Sequence, residues 1–245
     1  MNLTIDQGNS YVKAGVFDGN KLLESIVFEE TQMADRLMFL LMKYPIQNYI
    51  LSSVSNDAPL NVVNYLKSQG GMFIVLDENT PLPIKNRYKT PVTLGKDRLA
   101  AAVAAYALKP NVNSLVIDIG TCITYDFVNS KGEFLGGGIS PGMKMRFRAL
   151  NAFTKRLPLI EAAENNTLLG DDTESAIRSG VVNGIIFEID GCIEHLKEKF
   201  PDLTVFLSGG DTFFFANTFK SSIFADKNLL LVGLNRILNY NLENV

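Results

Sequence analysis

A strand-Asp-x-Gly signature occurs twice in this chain and limits what it can fold into. Ile5-Asp6-Gln7-Gly8 and Ile117-Asp118-Ile119-Gly120 carry an apolar strand end, a carboxylate and a glycine in the same order, 112 residues apart in a chain of 245. After the first copy come the strand patterns Tyr11 to Phe17 and Lys21 to Phe28, joined by Asp18-Gly19-Asn20. After the second come Cys122 to Val128, a turn at Asn129 to Gly132, and Glu133-Phe134-Leu135. Asp-Gly between apolar runs is a strong hairpin signal. The spacing is too long for a solenoid, whose repeats run to about 20–50 residues. The pattern predicts an internal duplication of one β-β-β-α-β unit, hence an α/β chain with an N-terminal lobe at 1–110 and a C-terminal lobe at 111–245.

The segments between the signatures fill in the unit. Gln32 to Tyr44 carries Met33, Leu37, Leu40 and Leu41 at helical spacing, Tyr49 to Val54 reads as a buried strand, Asn61 to Gln69 as a helix and Met72 to Leu76 as a strand. Asn79 to Thr93 holds Pro81, Pro83 and Pro91, which donate no backbone N–H, and reads as an irregular connector. The alanine-rich Leu99 to Leu108 predicts a helix stopped by Pro110. Further on, Lys144 to Phe153 and Thr173 to Phe200 read as helices and Thr204 to Leu207 as a strand. Leu229 to Tyr240, with Leu230, Leu234, Ile237 and Leu238 on one face, reads as the helix that closes the second lobe.

Composition excludes several classes of function. Hydrophobic residues make up 47% and charged residues 20%, enough to bury a core. With 23 Lys and Arg against 26 Asp and Glu the net charge is −3, and no basic block stands out, which argues against a nucleic-acid partner. Met1 to Asp6 lacks the charged and apolar regions of a signal peptide, and no apolar run approaches the roughly 20 residues that span a bilayer. A cytoplasmic protein without a membrane partner is expected. Cys122 and Cys192 stand far apart in no ligand spacing and read as buried free thiols. His195, the only histidine, has no second histidine for a metal and reads as structural. Phe213-Phe214-Phe215 reads as core or interface packing, and Met143-Lys144-Met145 as helix-face material.

Chemistry concentrates in a few places. Asp6-Gln7-Gly8-Asn9-Ser10-x-x-Lys13 joins a carboxylate to a tight turn whose N–H groups and hydroxyl can meet phosphate, with Lys13 adding positive charge. Asp6 would hold Mg²⁺ directly or through water, since that ion takes one or two carboxylates plus phosphate oxygens. A Walker A loop would need G-x-x-x-x-G-K-[ST], which this is not. Taken alone, the segment reads first as a structural hairpin. Asp118-Ile119-Gly120-Thr121 supplies a second carboxylate, glycine turn and hydroxyl, so the pair reads as a phosphate clamp. Ser208-Gly209-Gly210-Asp211 could admit a flat ligand such as adenine or could be a plain strand-to-helix turn. Asp97, between Gly95 and Arg98 at a helix start, suits a general base beside an anion-holding arginine, or else a helix cap.

Together these residues resemble the type III pantothenate kinases, within the acetate and sugar kinase, Hsp70 and actin superfamily. The resemblance covers essentially the whole chain. It rests on Asp6-x-Gly8-Asn9-Ser10-x-x-Lys13, Tyr88 ahead of Gly95-x-Asp97-Arg98, Asp118-x-Gly120-Thr121 with Thr124 and Asp126, Gly137-Gly138-Ile139-x-Pro141-Gly142, and Thr173 with Gly180. Ser10 stands where the family usually has Thr, and Cys122 where it often has Ala. The resemblance implies two duplicated ribonuclease H-like lobes, as in actin-like ATPases, with the active site in the cleft between them.

It further implies that Asp6, Gln7, Gly8, Asn9, Ser10, Tyr11, Val12 and Lys13 bind ATP and its Mg²⁺, with Thr121 also on the nucleotide. Tyr88, Gly95, Lys96, Asp97, Arg98 and Thr173 would bind pantothenate, Asp97 acting as proton acceptor. Asp118 would bind a monovalent cation, K⁺ or NH₄⁺, and the protein would be a homodimer. The expected reaction is ATP-dependent phosphorylation of pantothenate to 4'-phosphopantothenate, the first step of coenzyme A biosynthesis. A kinase of this fold acting on another small hydroxyl acceptor, or a non-catalytic nucleotide-binding regulator, are the alternatives, since fold does not fix substrate.

Overall fold

The computed structural model describes residues 1–8, 11–53, 60–163 and 167–244. Its first half contains β1 (Asn2–Gln7), β2 (Val12–Asp18), β3 (Lys21–Phe28), α1 (Met33–Lys43), β4 (Asn48–Ser53), α2 (Leu60–Ser68), β5 (Phe73–Val75), β6 (Lys85–Asn86) and α3 (Lys96–Leu108). There follow β7 (Ser114–Ile119), β8 (Cys122–Val128), β9 (Glu133–Pro141), α4 (Met143–Ala152), α5 (Thr173–Lys199), β10 (Thr204–Ser208), α6 (Thr212–Phe215), β11 (Phe224–Ala225) and α7 (Leu229–Glu243). The chain divides into two compact units. One comprises Met1–Val112, Phe127–Gly136 and Asn228–Val245, the other Asn113–Asp126 and Gly137–Lys227.

The first unit is built on a sheet of order β3-β2-β1-β4-β5, with β1 antiparallel to β2 and parallel to β4. All six residues of β1 are buried, as expected of a central strand covered on both faces. Because strand side chains alternate, Tyr49 and Leu51 point to one face and Ile50 to the other. On the Tyr49 face they join Ile5, Val12, Val16, Met33, Leu37, Leu40, Val63 and Leu66 from β1, β2, α1 and α2. On the Ile50 face the core is Phe17, Leu99, Val103, Phe134, Leu231, Leu234, Ile237 and Leu238, drawn largely from α3 and α7. The helix expected to close the second lobe thus packs in the first unit, against α3, β1 and β4. An apolar stripe says that a helix needs a core, not which core receives it.

The second unit repeats the path. The second sheet runs β11-β10-β7-β8-β9-β6, and apart from the two-residue β6 this is the first sheet's order with β7, β8 and β9 in the places of β1, β2 and β3. The parallel pairs agree in register as well: Asp6 lies opposite Ser52 in β1 and β4, and Asp118 opposite Ser208 in β7 and β10. The duplication read from the sequence is therefore present in strand order and in register. The proline-rich connector is less irregular than expected, since Lys85 and Asn86 pair with Glu133 and Phe134. Cys122 and Cys192 are free but only partly buried, so burial is not what places them.

Candidate active site

In the first hairpin Asp6 and Lys13 are direct cross-strand partners. Such partners share a face with Cβ atoms about 4.5–5.5 Å apart. Asp6 is 6% exposed and Lys13 half-buried, so an acidic and a basic residue lie side by side near the end of β1, on the face that Ser52 also shares. The turn is closed by the Gly8 N–H donating to Tyr11 O at 3.1 Å. Asn9 and Ser10 lie outside the described residues. Tyr11 is exposed and Val12 is fully buried in the core. The Gln7 side chain is committed elsewhere: its amide donates to Glu30 Oε1 at 2.8 Å and accepts from Ser53 Oγ at 3.2 Å.

Around α3 the structure locates the helix cap. Gly95 is the N-cap, so helix starts at Lys96 and Asp97 lies inside its first turn. Asp97 Oδ1 accepts the Arg98 N–H at 2.8 Å, and a Cβ on Gly95 would come within 2.4 Å of that oxygen. A carboxylate is favoured at this end of a helix by the partial positive charge of its exposed N–H groups. Arg98 is 6% exposed, with its guanidinium carbon 5.8 Å from the centre of the Tyr88 ring. Tyr88 packs in turn on Phe134, ring centres 6.1 Å apart, and on Gly136, whose φ of 106° strains any side chain and where an added Cβ would sit tightly, 3.3 Å from the Tyr88 ring. Tyr88, Gly95, Asp97 and Arg98 therefore form one cluster. Lys96 turns away from it, its Nζ 3.5 Å from Glu78 Oε2 and 3.5 Å from Pro91 O.

In the second unit Asp118 is half-buried at the end of β7, and Thr121 is exposed on the turn that follows. The Gly120 N–H donates to Cys122 O at 2.9 Å, and the Gly142 N–H to Thr121 O at 3.1 Å. Gly142 is held so close that a Cβ there would lie 2.2 Å from Gly120 O. Thr173 is the first residue of α5, exposed, after an Asp172 N-cap that forms a capping box with Ser175. At Asp211, which follows Gly209-Gly210, burial raises the carboxyl above its ordinary range and nearby Lys144 partly offsets it.

Sequence reasoning passed over Ser52. It and Ser208 are fully buried, and the hydroxyl of each has no hydrogen-bond partner among the described residues. Leaving a buried hydroxyl unpaired costs about 1–3 kcal/mol. The signal was available as the parallel strand endings Leu51-Ser52 and Leu207-Ser208. Among the described residues no group of three or more His, Cys, Asp or Glu is placed to hold a metal. Single carboxylates such as Asp6 and Asp118 suit an ion that completes its shell with nucleotide phosphates and water.

The sequence model of type III pantothenate kinase matches residues 2–195. The chain belongs to the type III pantothenate kinases. A type III pantothenate kinase of Phocaeicola vulgatus is 49% identical over 243 residues, covering 98% of this chain and 99% of that one. One from Bacteroides fragilis is also 49% identical over 243 residues, with 98% of each chain covered. Among solved structures, a conserved Campylobacter jejuni protein assigned to a Baf family of transcriptional activators superposes with a TM-score of 0.62 at 24% identity, over 99% of this chain and 100% of that one. A Listeria monocytogenes protein assigned as an N-acetylmannosamine kinase superposes with a TM-score of 0.56 at 15% identity, over 99% of each chain. At such identities these two likenesses speak to the fold, a mixed α/β architecture built on two sheets, and to nothing finer. As a type III pantothenate kinase the chain is an ATP-dependent phosphotransferase.

Proposed function

We propose that this kinase transfers the γ-phosphoryl group of ATP to the primary hydroxyl of pantothenate, with Asp97 as the base that receives the hydroxyl proton. The observation that carries the reading is the cluster at the start of α3: an acid in the first turn, a glycine that leaves its oxygen room, and a buried arginine packed over Tyr88. Arg98 supplies fixed positive charge for the carboxylate of pantothenate, and Tyr88 a flat wall for its apolar part. Thr173 contributes a hydroxyl to the same substrate. Lys13 offsets charge on the transferring group, and the Gly8 and Thr121 turns hold the nucleotide.

The residues fit the ions this reaction uses. Mg²⁺ bound with the nucleotide neutralises the phosphate charge, and Asp6 is the carboxylate that would hold it. Asp118 would hold a monovalent cation, K⁺ or NH₄⁺. Positioning and charge neutralisation supply most of the catalysis of phosphoryl transfer, and the base roughly 10²–10⁴-fold more. The enzyme acts as a homodimer in the cytoplasm. No described helix is long and apolar enough to cross a membrane.

The test is ADP release dependent on pantothenate, run against a panel of other hydroxy acids and sugars. Asp97→Asn should lower turnover roughly 10²–10⁴-fold while ATP still binds. Full turnover in that variant would remove Asp97 from the chemistry, and an equal rate with another acceptor would reassign the substrate.

A further inference from the structure

Glu188 lies on α5, seventy residues along the chain from Asp118, in a stretch to which the motifs assign no role. Its two oxygens hold two different elements. Oε1 accepts the Tyr125 hydroxyl of β8 at 2.7 Å, and Oε2 accepts a guanidinium N–H of Arg146 on α4. The side chains of Arg146 and Glu188 are 21% and 32% exposed, so the pair is partly withdrawn from water. Burial alone would raise the Glu188 carboxyl, but hydrogen bonds from Ser140, Tyr125 and Arg146 outweigh it and hold the group below its ordinary range. Burial and the Glu188 carboxylate push the Tyr125 phenol upward, so it remains a donor.

Arg146 carries the connection onward. Its Nε donates to Pro141 O at 2.8 Å and a terminal nitrogen to Ser140 Oγ at 2.9 Å, so one guanidinium grips the last two residues of β9. Its own N–H donates to Gly142 O at 3.0 Å. Gly142 is the residue that abuts the Gly120–Thr121 turn, donating to Thr121 O at 3.1 Å. The distance from α5 to the turn is thus bridged by Glu188, Arg146, the Ser140-Pro141-Gly142 backbone and Thr121 O, with each link a hydrogen bond or a peptide bond.

We propose that Glu188 and Arg146 are positioning residues for nucleotide binding: they fix Gly142 against the Gly120–Thr121 turn and so set how well that turn receives phosphate. The inference rests on the assignment of Thr121 to the nucleotide. A planar guanidinium reaches Pro141, Ser140 and Glu188 at once, which a lysine cannot do. Two substitutions that keep size and shape isolate the link: Glu188→Gln, which retains an acceptor for Tyr125 but removes the charge, and Arg146→Lys, which keeps the charge but loses the fork.

The experiment measures KM for ATP, KM for pantothenate, kcat, and binding of a non-hydrolysable ATP analogue by calorimetry, alongside thermal melting. Each variant should raise KM for ATP and the analogue Kd about tenfold, as expected from one charge-assisted hydrogen bond lost. The KM for pantothenate should change less than about twofold, and the double variant should fall short of the product of the two single effects, since both break one path. A purely structural role would instead lower the melting temperature and leave ATP affinity alone, or weaken both substrates equally; either result overturns the proposal. Thr121→Val separates the two layers. If it weakens ATP and the Glu188 and Arg146 variants do not, the positioning role fails by itself. If Thr121→Val leaves ATP affinity unchanged, the nucleotide assignment fails and the inference falls with it.

Discussion

A methyl group on Gly95 would come within 2.4 Å of Asp97 Oδ1, although the backbone there, at φ −56° and ψ 127°, admits any residue. Gly95→Ala therefore acts on the carboxylate and not on the chain path. Alanine at this position should lower kcat up to about 10²-fold, the scale of a misplacement near 1 Å, while the melting temperature stays close to that of the parent. Steady-state kinetics beside a thermal melt would check this, and unchanged turnover would mean that the Asp97 oxygen can shift without cost. Sequence spacing left Asp97 open between base and cap because it placed the helix start at Leu99. The helix begins three residues earlier, at Lys96, and that start puts Asp97 within the first turn, after the cap. The resemblance gathered Gln7 and Lys96 into the binding sets by their position between site residues. Their side chains turn to Glu30 and Glu78, contacts between distant segments that no local pattern encodes.

At the scale of elements the strands and long helices were legible, for their signals are local: β3 runs over the very residues read from the hairpin, and α5 ends one residue short of its reading. Partners were not. The placement of α7 depends on its fit to α3, where Ala100 to Ala105, five alanines and a valine, are all buried and small enough to admit a close crossing. At that crossing a Cβ on Gly233 would lie 1.8 Å from Ala100 O. Gly233→Ala gains about 1 kcal/mol of helix propensity. It must also push two backbones apart, an overpacking cost of about 1–3 kcal/mol and at times more. A net loss of stability is expected, and because roughly 1 kcal/mol moves the midpoint of a domain this size by 2–4 °C, it should appear as a melting temperature lower by a few degrees. An unchanged or higher midpoint would show that α3 and α7 part without penalty. Activity per folded molecule should persist at low temperature, as Gly233 belongs to the core of the first unit and to none of the site clusters.

For the molecule as a whole, duplication accounts for the sheets, and α5, in the β9–β10 connection that matches the β3–β4 connection holding the 11-residue α1, departs from that symmetry in length. This helix of 27 residues carries apolar or small residues on more than its core-facing side. One set, Ile177, Val181, Ile185, Ile189 and Ile193, is buried within the second unit. Gly180, Gly184, Phe187 and Gly191 recur at i, i+4, i+7 and i+11 along another face, where Phe187 is 60% exposed. An exposed aromatic on a face of glycines is apolar surface that gains from cover, and glycines at such spacing permit a second backbone to approach closely. The proposed homodimer supplies that cover if a second copy lies along this face. A Cβ on Gly180 meets nothing within 4 Å in the chain itself. Gly180→Leu should therefore leave the fold intact, even favouring the isolated helix by roughly 0.8 kcal/mol, while obstructing a close approach by a second helix. Sedimentation velocity over a range of concentrations should then show the parent as a dimer and the variant shifted to monomer, with the same far-ultraviolet circular dichroism. A variant that stays as dimeric as the parent would place the contact between copies elsewhere and leave Phe187 without a partner.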